Sequence, residues 1–241
     1  MSDEPISEGA LLAEQLAYYR ARAAEYDEWW FRRGRYDRGA ELNAAWFADV
    51  AAVENALFAF IERTRPQSVL ELACGTGLFT RHLARRVAHV TGIDASPEAI
   101  EHNRARVSAA NVDYIIADLF EWMPAVRYDL VFMSFWLSHV PMTRFERFWT
   151  KVRQAIAPPG HAYVIDNAFE PTSTARDHPR PDPQSGIATR KLNDGKQYRI
   201  VKLFHDADTL TAQLLPLGFD AHIERTPRPG YFIHGFVRTR S

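Results

Sequence analysis

The sequence predicts an α/β protein: a largely parallel sheet covered on both faces by helices. Three observations carry this. Five short apolar runs, SVLELA, HVTGIDA, VDYIIAD, YDLVFMSF and HAYVIDN, alternate with amphipathic stretches of helical length between Ser68 and Asn167. Parallel neighbours need such long right-handed crossovers, and strands covered on both faces read as nearly unbroken apolar runs. Two further strand-like runs, FDAHIERT and GYFIHGFVRT, then close the chain.

Each element has its own local signal. Residues 1–9 are polar and expected to be disordered. Leu12, Leu16, Tyr19, Ala23 and Tyr26 recur at helical spacing, which predicts a helix from Ala10 to about Glu28. EWWFRRGRYDRG breaks that pattern with two glycines and reads as a loop. Trp46, Phe47, Val50, Val53, Leu57 and Ile61 predict a second helix from Glu41 to Thr64, ended by Pro66. LFTRHLARR is predicted helical after the first strand, and SPEAIEHNRARVSAA opens with Ser96 as N-cap and Pro97 at the first helical position. RFERFWTKVRQAIA reads as a helix stopped by Pro158-Pro159-Gly160. Pro171, Pro179, Pro181 and Pro183 then mark a long polar loop of the kind that serves as a lid. ATRKLNDGKQYRIVKLF predicts a hairpin turning at Asn193-Asp194-Gly195. DADTLTAQLLPLG is a last helix, capped by Asp206 or Asp208 and closed near Gly218.

The bulk properties narrow the function. The 241 residues include 29 basic and 30 acidic side chains, so no global field draws in nucleic acid or anionic lipid. The one cysteine, Cys74, excludes an internal disulfide and points to a reducing, cytoplasmic setting. The nine histidines form no paired helical motif, so no metal site is expected. The N-terminus lacks the basic and apolar regions of a signal peptide, and no apolar run of about 18 residues promises a membrane span. Nothing in the sequence specifies an oligomeric state.

The chemistry begins at ELACGTG, Glu71 to Gly77, directly after the first strand. Gly75 and Gly77 let a ligand approach the backbone, but Thr80 stands where a dinucleotide turn has its third glycine. Glu71 would repel a phosphate and suits an ammonium. Asp94 ends the second strand, where a carboxylate accepts bonds from two ribose hydroxyls. Asp118 follows the third strand, within reach of an adenine amino group. The ligand so drawn has an adenosine, no phosphates and a charged amino-acid part, which describes S-adenosylmethionine.

LELACGTG, GIDAS, YIIADLF, YDLVFMSFWLSHVP and IAPPGHAYVI, in this order, resemble the class I S-adenosylmethionine-dependent methyltransferases. FWLSHVP and KLNDGKQYRIVK are similar to a bacterial group acting on small molecules. Ala73 departs from the family, which most often has glycine there. The resemblance implies a Rossmann-like seven-stranded, mostly parallel sheet with a reversed last strand, helices on both faces and an N-terminal helical cap. Residues 1–66 would form the cap, and 67–241 the cofactor-binding domain with an insertion at about 168–200.

The resemblance implies that Glu71, Ala73, Gly75, Gly77, Asp94, Ala95, Asp118, Leu119 and Ser134 hold the cofactor. Tyr19, Arg22 or Tyr26 on the N-terminal helix would meet its carboxylate. Phe135 and Trp136, after the fourth strand, and Trp30, with Trp29, would shape the acceptor pocket. His139 has a pKa range suited to taking a proton from an O–H or N–H nucleophile. Cys74 is read as packing. The expected activity is methyl transfer to a small molecule at oxygen or nitrogen, releasing S-adenosylhomocysteine. Its rivals are a non-catalytic binder of that cofactor, a protein or nucleic-acid methyltransferase, and a nicotinamide oxidoreductase on the same sheet.

Overall fold

The computed structural model describes residues 6–179, 185–227 and 229–240. The expected lid residues Pro181 and Pro183 lie outside the described residues. Among those described, the strands are β1 (Ser68–Leu72), β2 (His89–Asp94), β3 (Val112–Ile116), β4 (Tyr128–Ser134), β5 (Ile156–Asn167), β6 (Ile187–Lys191), β7 (Gln197–Val201), β8 (Phe219–Arg225) and β9 (Phe232–Thr239). Seven of them form one sheet in the order β3-β2-β1-β4-β5-β9-β8. β1 to β5 run parallel, and β9 is antiparallel to both its neighbours. β6 and β7 form a separate antiparallel hairpin.

The helices are α1 (Glu8–Arg22), α2 (Tyr26–Trp30), α3 (Ala40–Thr64), α4 (Thr80–Leu83), α5 (Pro97–Val107), α6 (Met142–Ala155) and α7 (Ala207–Leu214). Successive side chains of the central strands go to opposite faces, which divides the core in two. Val69, Phe132 and Tyr163 meet Trp46, Val53, Leu57 and Phe60 of α3 on one face. Leu70, Val131 and Val164 meet Phe148, Trp149 and Val152 of α6 and Leu210 and Leu214 of α7 on the other. Each fully buried large side chain contributes about 1.5–3 kcal/mol. α3 is therefore part of the main core, and α1 and α2 lie over the ends of the strands.

Several expectations need correction. The first helix begins at Glu8, inside the segment expected to be disordered, because Ser7 caps it: its Oγ accepts from Ala10 N. It ends at Arg22, and the loop expected over EWWFRRGRYDRG begins with α2 instead. The chain bends there to bury Trp29 and Trp30, which are 7% and 2% exposed. The helix after the Gly turn spans only Thr80–Leu83. Pro158-Pro159-Gly160 does not follow a helix end directly: α6 gives way at Ile156 to β5, and the prolines occupy an irregularity where pairing jumps from Tyr128↔Ile156 to Leu130↔His161. Prolines are tolerated at such a bulge because it needs no ladder N–H. α3 is also long and apolar enough, by length and composition only, to cross a membrane. Its apolar face is used by the sheet.

Ser96 caps α5 as expected, accepting from Ala99 N at 3.0 Å, and Asp206 caps α7 by accepting from Asp208 N and Thr209 N. Strand order reverses between β1 and β4, since the chain leaves β1 toward β2 on one side and returns to β4 on the other. In open α/β sheets the crevice at the carboxyl ends of such strands is where ligands bind.

Candidate active site

A cleft of about 390 Å³ opens at that crevice. Its floor is the loop after β1, with Ala73, Gly75 and Thr76, and the loop after β2, with Asp94, Ala95 and Ser96. Asp94 fastens these loops together: Oδ2 accepts from Gly75 N at 2.9 Å and Oδ1 from Ser96 N at 2.8 Å. Each carboxylate oxygen has two lone pairs, so Asp94 keeps acceptor capacity for a ligand. Burial raises its pKa. Asp118, Leu119 and Phe120 form one wall, Ser134, Phe135 and Trp136 another. Asp118 Oδ1 accepts from Phe120 N at 2.8 Å, which orders the wall. The roof is α1, through Leu12, Leu16 and Tyr19.

Three residues expected at the cofactor or in the acceptor pocket are placed elsewhere. Glu71 is 1% exposed and absent from the lining. Its Oε2 accepts from Thr80 Oγ1 at 2.6 Å, and burial pushes its pKa up to about 8, which leaves it largely protonated at neutral pH. Gly77, at φ +87°, is likewise absent from the lining; a Cβ there would lie 2.6 Å from Asn103 Oδ1. That glycine makes room for Asn103, whose Nδ2 donates to the carbonyls of Cys74 and Gly75 and to Thr80 Oγ1. Trp30 packs in the core against Trp46, Phe79 and Phe135. By contrast, Gly75 at φ +53° has only Ala73 O, at 3.9 Å, near the position of a Cβ. Ala73 itself sits at φ +53°, a left-handed conformation that accounts for the family's usual glycine.

Behind the cleft lies a second compartment of about 50 Å³. Tyr19, Tyr26, Phe135 and His139 line both spaces and form the boundary between them. Phe135 is at φ +55°, which costs a bulky residue about 1–3 kcal/mol. The strain is held by Phe135 N donating to Ile165 O, and by the ring packing 4.8 Å from Trp29 and 5.6 Å from Trp30. Arg22, expected at the cofactor, lines the inner compartment instead, stacked over Tyr26 at 4.8 Å and donating to Tyr36 Oη.

His139 Nδ1 lies 2.7 Å from the Val201 carbonyl, so this nitrogen carries the proton. Nε2 is then the acceptor for Tyr19 Oη, also at 2.7 Å. Burial, then the nearby Lys202 charge, hold the His139 pKa well below its ordinary value. The imidazole is neutral and its one lone pair is taken by Tyr19. The Tyr19 hydroxyl oxygen has lone pairs left.

The inner compartment also holds residues the sequence reading missed: Arg190 and Lys202 of the hairpin region, and Asn167, Ser173, Thr174 and His178. A signal existed for Arg190. In Ala188-Thr189-Arg190-Lys191-Leu192 the residues at alternate positions 188, 190 and 192 are buried, so period two places the arginine on the inward face. Gln15 of α1 stitches this hairpin to the site by accepting from Val201 N and donating to His139 O.

A family model described as "Methyltransferase domain" matches residues 69–160, the span of β1 to the start of β5. The solved "DhpI-SAM-HEP complex" superposes with TM-score 0.76 at 35% identity, covering 97% of this chain and 99% of that one. The chain belongs to the S-adenosylmethionine-dependent methyltransferases. Among curated relatives, the ubiquinone biosynthesis O-methyltransferase of Erwinia tasmaniensis is 30% identical over 134 residues, 54% of this chain and 51% of that protein. The chain spans about half the length of the curated relatives it matches. The 1,6-didemethyltoxoflavin-N1-methyltransferase of Burkholderia thailandensis, 14% identical with TM-score 0.64 over 100% of this chain and 94% of that one, shares the fold. The cleft suits the family's cofactor. Of its charged lining residues, Asp94, Asp118 and Glu121 outnumber Arg144, so it disfavours phosphates and tolerates a cationic ligand.

Proposed function

We propose that this protein transfers the methyl group of S-adenosylmethionine to a small-molecule acceptor, at oxygen or nitrogen, in the inner compartment. The observation that carries this is the shared boundary: Tyr19, Tyr26, Phe135 and His139 face both a cleft suited to the cofactor and a smaller space beside it. Asp94 would hold the ribose, Ala95, Asp118 and Leu119 the adenine, and Ala73, Gly75 and Ser134 the amino-acid end, with Tyr19 and Tyr26 closing over it. The bound cofactor supplies an already electrophilic methyl group, so the chain needs little acid–base chemistry of its own. Its contribution is alignment and exclusion of water. Phe135 and Trp29 form dry walls, and α1 covers the junction. The Tyr19 oxygen, with His139 Nε2 behind it, holds a proton-accepting contact for an O–H or N–H acceptor.

Two of the relatives, a ubiquinone biosynthesis O-methyltransferase and a pavine N-methyltransferase, support a small-molecule acceptor by their names. The balanced charge favours the same reading over a nucleic-acid substrate. The buried free thiol of Cys74 fits a cytoplasmic setting. The test is release of S-adenosylhomocysteine across a metabolite panel. Acceptor-dependent release supports the proposal. Tight cofactor binding with no release for any compound in the panel favours the non-catalytic binder.

A further inference from the structure

We propose that the acceptor is a small oxyanion-bearing molecule whose carboxylate, phosphate or phosphonate group is gripped in the inner compartment by Arg22, Arg190 and Lys202. The inference rests on the methyltransferase reading and specifies the substrate class for the same site.

The observations are electrostatic and steric. Arg22, Arg190 and Lys202 are 8%, 7% and 6% exposed, and all three line a compartment of about 50 Å³. Buried cations are normally paired, because an isolated buried charge is strongly penalised. Here the compensation is incomplete. Lys202 Nζ donates to Ser138 Oγ and Asn167 Oδ1 and lies 4.0 Å from Asp166 Oδ1. Neither guanidinium has a carboxylate within ion-pair distance among the described residues. Arg22 finds the Tyr36 hydroxyl and tyrosine rings, and Arg190 donates to the carbonyl of its neighbour Thr189. Glu170, the one carboxylate in the lining among the described residues, is engaged with Thr172 through its backbone N–H and its hydroxyl.

Two further features agree. Asn167 lines the same space, and its buried Nδ2 has no partner among the described residues, which leaves a spare donor beside the cations. His139 and His178 both have lowered pKa values, first through burial and next through the charge of Lys202 or Arg190. That is the response expected of imidazoles in a positive field. The volume accommodates roughly three to five waters, at 10–15 Å³ each, which matches a compact head group. The neighbouring cleft carries the opposite charge balance, so the two reactants are sorted by charge into adjacent spaces.

The test is calorimetric titration and thermal shift on the full chain with S-adenosylhomocysteine present. The probes are acetate, inorganic phosphate and methylphosphonate, with glycerol as the neutral control at matched ionic strength. At least one oxyanion is expected to bind saturably and raise Tm while glycerol does neither, and the strongest of the three identifies the head group. Arg190→Met is expected to weaken that binding at least tenfold and to leave the ligand-free Tm unchanged or higher, because an uncompensated buried charge has been removed. No binding by any of the three, undiminished binding to Arg190→Met, or a lowered ligand-free Tm of that variant overturns the proposal. Failure of S-adenosylhomocysteine itself to bind overturns the methyltransferase reading instead. Loss of oxyanion binding alone leaves that reading standing.

Discussion

Replacing Tyr19 by Phe removes one oxygen from the boundary between the two compartments and leaves the ring in place. The lost contact is the 2.7 Å bond to His139 Nε2. His139 is 5% exposed and its Nδ1 is already committed to Val201 O, so Nε2 is left without its donor in a buried position. The missing bond contributes about 0.5–1.5 kcal/mol net, and leaving the acceptor unpaired raises the cost to about 1–3 kcal/mol. For a chain of this size, that lowers Tm by about 2–12 °C. The ring of Phe still packs edge-on against His139, so affinity for S-adenosylhomocysteine should change less than about threefold. Turnover should fall further than binding, by about 10- to 100-fold, because small misplacements at a reacting centre cost that much. Scanning calorimetry, titration with S-adenosylhomocysteine and a product-release assay read the three effects separately. Unchanged Tm together with unchanged turnover would refute the role given to this pair.

Three other predictions concern the carboxyl ends of β1 and β2 and the turn after β1. Glu71 has a folded pKa of about 8 against an ordinary 4.5, so the folded state holds an extra proton between those values. Its contribution is fully present below pH 4.5 and is lost as pH rises through 8. Glu71→Gln has no such dependence, so Tm of the wild type minus that of the variant should fall steadily from pH 5 to 9. A flat difference would contradict the protonated state. Because both proteins contain His178, held down to about 3 by burial, its opposite pH dependence cancels in the comparison. Ala73→Gly relieves a left-handed alanine and should stabilise the protein by about 0.5–1 kcal/mol, after allowing for the entropy of the glycine in the unfolded chain. A lower Tm would show that the methyl packs usefully. Asp94→Ala removes a charged acceptor that each good ribose bond would use, and should weaken S-adenosylhomocysteine by about 10- to 100-fold in a binding titration.

Those elements whose signals are local were legible in the sequence. Ser96-Pro97 and Asp206 announced two helix starts, Asn193-Asp194-Gly195 announced the hairpin, and the five apolar runs became β1 to β5. Asp94, Asp118 and Phe135 line the crevice because strand ends deliver them there. What failed depended on partners distant in sequence. Glu71 reads as an exposed charge until Thr80 and the surrounding core are seen to bury it. Gly77 reads as a ligand contact until Asn103, 26 positions on, takes the space (103 − 77). Trp29 and Trp30 are adjacent, and only packing decides which one faces a cavity. The inner compartment needed most: α1, the loop after β5 and the hairpin meet there through Gln15, Val201 and His139.

The central claim is that the cleft at the ends of β1 and β2 binds S-adenosylmethionine with Asp94 as an anchor. The most direct measurement is calorimetric titration of the wild type and Asp94→Ala with S-adenosylhomocysteine, alongside NADH. The account predicts one saturable S-adenosylhomocysteine site, markedly weakened by the substitution, and no NADH binding. Saturable NADH binding, or S-adenosylhomocysteine binding untouched by the loss of Asp94, would contradict it.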